Sequence, residues 1–396
     1  MLRSILAAVL ALPLVAAAQL KADFDLGSQW KVNSTARLMS GLTPMHPAHV
    51  EFSHTDAWQQ HSATMTSSWS RLRDSRIAAM TAWRDEAVSK SCPVGKTLLY
   101  PFSGPDFFNA YWMFPECETF VMFGLEPPGG APELERLSEK QMQRLIDDVR
   151  IATSDLFQRN YFITERMARQ LHTAHLRGVV PLVMISMALS GIDILRVAPY
   201  DIGQPRREPL AGATGKPMRN LKGVTVEFRV PGSPTVRRMI YFSVDATDHG
   251  LAHYPEFVDW LKTLGPTTTF VKSASYLLHG SNFSLMRKTV LEVSGFIVQD
   301  DSGVPFWAFA RDWEVRVYGR YGVPIPPFKG AFQPALDKVW KVQNPQPLPF
   351  TFGYQYNDRR DERSHVIVAR RVPGAMIAMD DTRKRITAAR RTSAHP

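Results

Sequence analysis

Two short apolar segments place the strongest limit on how this chain can fold. Residues 97–102 (TLLYPF) and 119–125 (TFVMFGL) are each bounded by turn-forming residues, and a helix-like stretch follows the first. Apolar runs of this length are typical of central strands that are covered on both faces of a sheet. The sequence therefore predicts two buried central strands with a helix between them.

Helices and hairpins are predicted on either side of these strands. Residues 54–88 contain neither Pro nor Gly and repeat apolar side chains at helical spacing, which predicts a helical N-terminal part over about residues 54–90. A capping box at Ser138 and Gln141 predicts the start of another helix, and residues 179–189 indicate a buried one.

The second half of the chain is richer in strand patterns. Residues 223–244 alternate apolar and polar side chains around a PGSP turn, and residues 313–319 alternate similarly. A closing hairpin is predicted from residues 350–356 (FTFGYQY) to residues 365–370 (HVIVAR). Together these patterns predict an α/β (or α+β) protein: a mixed β-sheet with flanking helices, an N-terminal helical segment and C-terminal β-hairpins.

The first residues have the pattern of an export signal. Arg3 precedes an apolar run over residues 5–15, and Ala16-Ala17-Ala18 gives a small-residue cleavage site. We expect residues 1–18 to be a signal peptide that is removed after Ala18. The mature chain is then expected to be a soluble periplasmic or secreted protein with no transmembrane segment, since the run at 179–189 is too short to cross a bilayer.

The positive charge is concentrated in one region. The net charge is +10, and residues 370–396 hold seven Arg or Lys residues against only Asp380 and Asp381. A basic terminal run of this kind is typical of a disordered tail. We therefore expect a single globular domain over residues 19–371, a disordered basic tail over residues 372–396, and no nucleic-acid partner.

The two cysteines, Cys92 and Cys117, both lie in the predicted mature domain. In an oxidising compartment a pair at this spacing predicts a disulfide, which would contribute ~3 kcal/mol by restricting the unfolded chain. Two separate buried thiols are the alternative.

A polar turn follows the first predicted strand. This SGPD turn, Ser103–Asp106, has the strand–turn–helix pattern of the first βα unit in a doubly wound sheet, where ligands bind beyond the strand ends. Glu126 follows the second strand. A nucleotide cofactor is not expected, because the turn has one Gly where the dinucleotide motif has three, and Pro105 lacks a backbone N–H. The sequence predicts no cofactor.

A second polar turn follows another strand-like run. This QDDSG turn, residues 299–303, contains two adjacent carboxylates. If it folds beside the SGPD turn, close carboxylates would bind a hard cation or act in acid–base chemistry. The alternative is a type I turn in which the Asp side chains accept backbone N–H groups. The predicted binding residues are Ser103, Asp106, Glu126, Gln299, Asp300 and Ser302.

No complete catalytic motif is present. The sequence has no G-x-S-x-G elbow, so Ser103, Asp106 and Asp301 are catalytic candidates by position alone. Four histidines could act as the base, and the sequence gives no feature that distinguishes among them: His172, His175, His279 and His365. His249 and His253 have the spacing of a zinc-binding pair, but Gly250 and Pro255 favour a loop there, and no metal site is predicted.

Three segments resemble a group of exported bacterial proteins of unknown function. The shared motifs are Y-P-F-S-G-P-D-F, G-L-E-P and Q-D-D-S-G-x-P, which correspond to Tyr100–Phe107, Gly124–Pro127 and Gln299–Pro305. The resemblance covers most of residues 50–371. It implies a bacterial, exported α/β protein in which the two polar turns belong together, and it implies no particular reaction.

From these patterns we expect a cell-envelope binding or accessory protein with a polar cleft near the SGPD and QDDSG turns. Its ligand would be a small molecule, a glycan or a peptide. The alternative is a periplasmic hydrolase that uses a carboxylate or metal site. Whether the protein is an enzyme is left open by its sequence.

Overall fold

The computed structural model describes residues 26–158, 161–162, 170–173, 175–202, 221–354 and 364–372. The predicted signal peptide lies outside the described residues, as does the predicted basic tail except for Val372. No described helix is both long and apolar enough to cross a membrane.

The described strands form one mixed sheet of nine strands, in the order β3-β4-β5-β2-β1-β6-β7-β9-β8. The five central strands, β5-β2-β1-β6-β7, are parallel, and antiparallel strands flank them on both sides. The predicted fold class is confirmed. The strands are β1 (Thr97–Pro101), β2 (Thr119–Gly124), β3 (Asp193–Tyr200), β4 (Lys222–Arg229), β5 (Val236–Ser243), β6 (Thr267–Val271), β7 (Ser294–Gln299), β8 (Trp313–Gly319) and β9 (His365–Arg371).

Helices cover both faces of this sheet. The predicted helical segment at residues 54–88 is confirmed as two α-helices joined by a π-helix. The α-helices are α1 (Leu26–Met39), α2 (Pro47–Ser53), α3 (Asp56–Leu72), α4 (Ala78–Ala87), α5 (Phe107–Met113), α6 (Glu139–Gln158), α7 (Val180–Leu189), α8 (Asp248–Ala252), α9 (Pro255–Lys262), α10 (Ser284–Val293) and α11 (Pro334–Gln343). The π-helix is Arg73–Ile77, and short 3₁₀-helices are Leu134–Arg136, Leu277–His279, Ser281–Phe283, Phe306–Ala308 and Pro326–Ala331.

Alternate residues of the central strands enter two different cores. In β1, Leu98 and Tyr100 pack into the core that contains the N-terminal helices and α7, and Leu99 packs into the core on the opposite face with α9 and α10. All ten side chains of α7 are buried, as predicted for residues 179–189. The central strands are apolar throughout because both of their faces are covered.

The strand order reverses between β1 and β6: the strand after β1 is added on one side of the pair, and the strand after β6 is added on the other. β1 pairs with β2 on one side and with β6 on the other, both parallel. The connections after β1 and β6 therefore leave the sheet toward opposite sides and open a crevice at the carboxyl ends of the strands. Such a switch point is where open α/β sheets bind ligands.

The predicted disulfide is confirmed. Cys92 and Cys117 are bonded, with an S–S distance of 2.06 Å, and the described residues contain no free cysteine. The bond joins the segment before β1 to the segment between α5 and β2. It therefore closes the strand–turn–helix unit that carries the SGPD turn.

One predicted hairpin is confirmed and the other is wrong. Residues 223–244 contain the antiparallel pair β4–β5. Residues 350–354 form no strand, and β9 pairs instead with β7 and β8; residues 355–363 lie outside the described residues. The aromatic residues of this segment pack into the core: the rings of Phe350 and Trp83 of α4 lie 5.4 Å apart between centroids, and those of Phe352 and Phe270 of β6 lie 5.8 Å apart.

Candidate functional site

The SGPD turn connects β1 to α5 at the switch point. Phe102 and Gly104 have left-handed backbone conformations (φ +57° and +49°), which reverse the chain immediately after the strand. Asp106 is the N-cap residue of α5: its Oδ1 accepts hydrogen bonds from the backbone N–H of Asn109 at 3.3 Å and from its side-chain amide at 2.7 Å. One oxygen of Asp106 thus stabilises the start of the helix.

The other oxygen of Asp106 takes part in a buried ion pair. Lys272, the first residue after β6, places its Nζ 3.0 Å from Oδ2, and the Tyr100 hydroxyl donates to the same oxygen at 2.9 Å. Burial lowers the pKa of Lys272, and the charge of Asp106 opposes that shift. The pair joins the ends of the two strands at the switch point.

Lys272 was missed by the sequence analysis. It directly follows β6, whose five residues are all buried. A charged residue at the end of such an apolar strand was the one sequence feature that could have indicated a site residue. The sequence did not reveal that this strand lies next to β1.

Glu126 lies at the end of the neighbouring strand β2. The hydroxyl of Tyr241 donates to the backbone oxygen of Glu126 at 3.0 Å and approaches its carboxylate at 3.4 Å. Burial is the largest effect on this carboxyl group and raises its pKa, against the lowering effect of the hydrogen bonds. A carboxylic acid with a raised pKa can give or take a proton near neutral pH.

These residues surround a cavity of about 440 Å³ at the switch point. Ser103, Asp106, Glu126 and Lys272 contribute its polar wall. Much of the remaining lining is aromatic or apolar and comes from several loops: Phe102, Leu125, Tyr161, Phe162, Leu277, Ile325, Pro327, Phe328 and Tyr354. The volume is in the range of small-molecule sites, which are mostly apolar with a few placed polar groups.

The QDDSG turn lies at the same edge of the sheet but behind this cavity. Asp300 is fully buried; its Oδ1 accepts from the backbone and hydroxyl of Ser302, at 3.1 and 2.5 Å, and its Oδ2 accepts from the backbone of Ser273 at 3.0 Å. The Ser302 hydroxyl oxygen accepts from the backbone of Ala274 at 2.8 Å. These side chains hold the loop after β6 in place.

The structure divides the predicted binding residues into two groups. Among the described residues that line the cavity are Ser103, Asp106 and Glu126, whereas Gln299, Asp300 and Ser302 are absent from that wall. Gln299 bonds across its own turn to the backbone of Val304. The carboxylate of Asp300 accepts backbone N–H groups, including that of Ser302 in its own turn, as in the turn alternative.

The catalytic candidates also have structural partners. Asp301 is buried; its carboxylate accepts from the Tyr276 hydroxyl at 2.8 Å, and its backbone N–H donates to Nε2 of His365 at 3.1 Å. The hydroxyl of Ser103 lies 3.2 Å from the backbone oxygen of Gly104 and 3.4 Å from that of Phe123. None of the four histidines named as bases is among the described hydrogen-bond partners of Ser103.

The loop after β6 is strained. Ser273, Ser275 and Tyr276 all have positive φ, at +52°, +52° and +56°. The Tyr354 hydroxyl accepts from the backbone of Ser275 at 3.1 Å and donates to Ser273 O at 2.6 Å, which fixes this conformation together with the QDDSG turn. Within the described part of the chain, the buried hydroxyl of Ser273 has no hydrogen-bond partner. Strained residues of this kind concentrate at functional sites.

Away from the switch-point cavity, one group of described residues has the composition of a metal site. It consists of His46, His49 and Glu135, and one potential ligand atom of each lies within 4.8 Å of the other two. Ser34 Oγ accepts the backbone N–H groups of Met45 and His46, so its proton points to Nδ1 of His49 at 2.9 Å. Nε2 of His49 then carries a hydrogen and donates to Glu135 at 3.1 Å. This arrangement occupies the nitrogen that a metal would need. The pair His249 and His253 has no third ligand in the described structure.

Comparisons with known proteins give no match for this chain: no protein-family model, no curated protein and no solved structure is detectably similar to it.

Proposed function

We propose that this protein binds a small organic molecule in the switch-point cavity and serves as an exported binding protein of the cell envelope. The observation that supports this most directly is the cavity itself, which is lined by both aromatic and polar side chains at the carboxyl ends of parallel strands. The disulfide and the expected signal peptide agree with export.

The walls favour a ligand that has a ring and hydroxyl or amide groups. Phe328 and Tyr354 lie 5.3 Å apart between ring centroids, and Tyr161 lies 4.8 Å from Tyr354 in an edge-to-face arrangement, so the three rings contact one another. The face of an aromatic ring can stack on a sugar ring or a planar group. In the same cavity, Glu126 and the serine hydroxyls offer hydrogen bonds. A sugar or a short peptide has the matching chemistry.

Ligand binding through the aromatic wall predicts a specific loss in one variant. We expect a thermal-shift screen of monosaccharides, amino acids and dipeptides on the mature protein to find compounds that raise Tm, because a ligand bound only by the folded state stabilises it. Phe328→Ala should weaken binding of such a compound about tenfold or more. The exposed Trp307, outside the described cavity wall, supplies the control Trp307→Ala, which should bind as the wild type does. Equal weakening in both variants would argue against this cavity.

A second function, hydrolysis, is favoured by Glu126. This residue lies in the cavity wall with a raised pKa, as a general acid or base requires, whereas Asp106 and Asp301 are held by structural partners. In this alternative Glu126 would take a proton from the water that attacks a bound ester, amide or glycoside, or would give a proton to the leaving group as that bond breaks. Removing such a group typically costs about 10²–10⁴-fold in rate.

The state of Glu126 can be measured without a substrate. We expect ¹³C NMR titration of its carboxyl group to give a pKa above the ordinary glutamate value. Tyr241→Phe should raise that pKa further, because the tyrosine hydroxyl stabilises the charged form. The exposed Glu133 is the control, and its carboxyl signal should not differ between the wild type and Tyr241→Phe. A normal or lowered value for Glu126 would remove the basis for the acid–base role.

A further inference from the structure

The residues that line the switch-point cavity restrict the charge of the ligand that it can hold. Among the described lining residues, those with a charged side chain are Asp106, Glu126 and Lys272, and none is Arg or His. Six others are aromatic: Tyr100, Phe102, Tyr161, Phe162, Phe328 and Tyr354. The balance among the three charged residues therefore decides whether the cavity favours an anion or a cation.

Lys272 does not leave an excess of positive charge in the cavity. Its Nζ lies 3.0 Å from Oδ2 of Asp106, and the two side chains are only 1% and 4% exposed. The carboxylate of Asp106 thus balances the ammonium group of the lysine. An anionic ligand could reach Lys272 only by breaking a buried ion pair, which is costly.

Glu126 is the carboxyl group that this pair leaves without a counter-charge. Within the described structure its pKa is shifted by burial and by hydrogen bonds, and no charged neighbour contributes to the shift. The side chain that its carboxylate approaches is the Tyr241 hydroxyl at 3.4 Å, a neutral group because burial holds the pKa of that tyrosine well above its usual value. When Glu126 is ionised, the described lining therefore carries a net negative charge.

Three of the aromatic rings meet at steep angles in the same cavity. The ring planes of Tyr161 and Tyr354 are inclined by 72°, and those of Phe328 and Tyr354 by 40°. Rings inclined in this way can surround a rounded group, whereas parallel rings favour a flat one. The face of an aromatic ring carries partial negative charge and attracts ammonium groups, quaternary ones included.

We propose that the ligand of the switch-point cavity carries an ammonium group, which the aromatic rings surround and Glu126 balances in charge. This inference rests on the binding function proposed above and deepens it by naming the ligand class. A compound with an amino or quaternary ammonium group meets the requirement, and a neutral sugar does not. An ammonium group beside Glu126 would lower the pKa of its carboxyl group, which opposes the effect of burial.

Choline and 3,3-dimethylbutan-1-ol test the proposal, because the two molecules have the same shape and differ in a positive nitrogen against a neutral carbon. Isothermal titration calorimetry on the mature protein at neutral pH and constant ionic strength gives both affinities. We expect choline to bind with 1:1 stoichiometry and at least tenfold more tightly than the alcohol. Phe328→Leu keeps an apolar side chain but removes a ring, so it should reduce the preference for choline by about threefold or more.

Glu126→Gln removes the charge and keeps the size of the side chain. It should weaken choline binding at least tenfold and leave binding of the alcohol unchanged, which also shows that the cavity is still folded. The matched control is Glu86→Gln, at an exposed glutamate of α4 outside the described lining of the cavity, and it should bind choline as the wild type does.

Two outcomes would overturn the ammonium proposal: choline binding no tighter than that of the alcohol, or an equal loss of choline affinity in Glu126→Gln and Glu86→Gln. The thermal-shift screen separates this failure from a failure of the binding function itself. If screened compounds bind in a way that depends on Phe328 while choline shows no preference, the cavity is a binding site for neutral ligands. If no compound binds there, both proposals are wrong.

Discussion

Asp106→Asn is expected to lower the free energy of unfolding by about 3–5 kcal/mol, the usual cost of removing one partner from a buried ion pair. The side chains of Lys272 and Asp106 are only 1% and 4% exposed, so the lysine cannot regain hydration when the carboxylate charge is removed. Asparagine keeps an oxygen that can cap α5. The loss therefore reports on the ion pair more than on the cap, and urea unfolding at neutral pH measures it.

A surface pair of the same chemistry provides the control. Lys96 and Glu118 lie 2.7 Å apart with both side chains exposed, so Glu118→Gln should cost no more than about 1 kcal/mol. Lys272→Met combined with Asp106→Asn should recover part of the stability lost in Asp106→Asn, because it removes a buried positive charge whose ion pair with Asp106 has been broken. If Asp106→Asn cost no more than Glu118→Gln, the buried pair would not be a source of stability.

His61 is expected to make the protein sensitive to acid. It is buried beneath α1, bonds to the backbone oxygen of Met39 at 2.8 Å, and burial lowers its pKa from 6.5 to about 4. Between these values the unfolded chain binds a proton that the folded protein excludes, so stability is lost as the pH falls. At 1.36 kcal/mol per pKa unit, the loss from this one residue is about 3 kcal/mol between pH 7 and pH 4.

His61→Gln isolates this contribution. Glutamine can keep a hydrogen bond to Met39 but does not titrate, so the variant should lose about 3 kcal/mol less than the wild type over the same pH range. His54→Gln, at an exposed histidine, should follow the wild type. Urea unfolding at pH 7, 5 and 4 gives the comparison. If the free energy of unfolding fell with pH by the same amount in His61→Gln and in the wild type, burial would not lower the pKa of His61 in the folded state.

Local patterns predicted the elements of this fold well, because burial on one or both faces determines their periodicity. The strands around the SGPD turn, the β4–β5 hairpin and α7 follow directly from their sequences. Residues 350–354 were mispredicted because the side chains of Phe350 and Phe352 are buried in the core without the segment joining the sheet. A period of two indicates one buried face, and an irregular segment against helices can produce the same pattern.

The candidate site was harder to predict because it depends on strand order. Asp106 and Lys272 are 166 positions apart, and only the pairing of β1 with β6 brings them together. The QDDSG turn was recognised as a polar turn after a strand, and its position relative to the SGPD turn was left open. Asp300 and Ser302 bind the backbone of residues 273 and 274 and do not line the cavity, which depends on the direction of individual hydrogen bonds. No spacing in the sequence encodes that direction.

The position of β9 has a consequence for the order in which the protein assembles. Residues 365–371 lie between β7 and β8, although β8 precedes them by about 50 residues in the chain. Until β9 has been synthesised and has inserted, β7 presents an unpaired edge and β8 has no place in the sheet. Pairings between distant segments slow folding and leave such edges exposed to other chains. A chain that stopped before residue 365 would keep Asp106, Glu126 and Lys272 of the switch-point cavity, yet it would have an open sheet edge prone to aggregation.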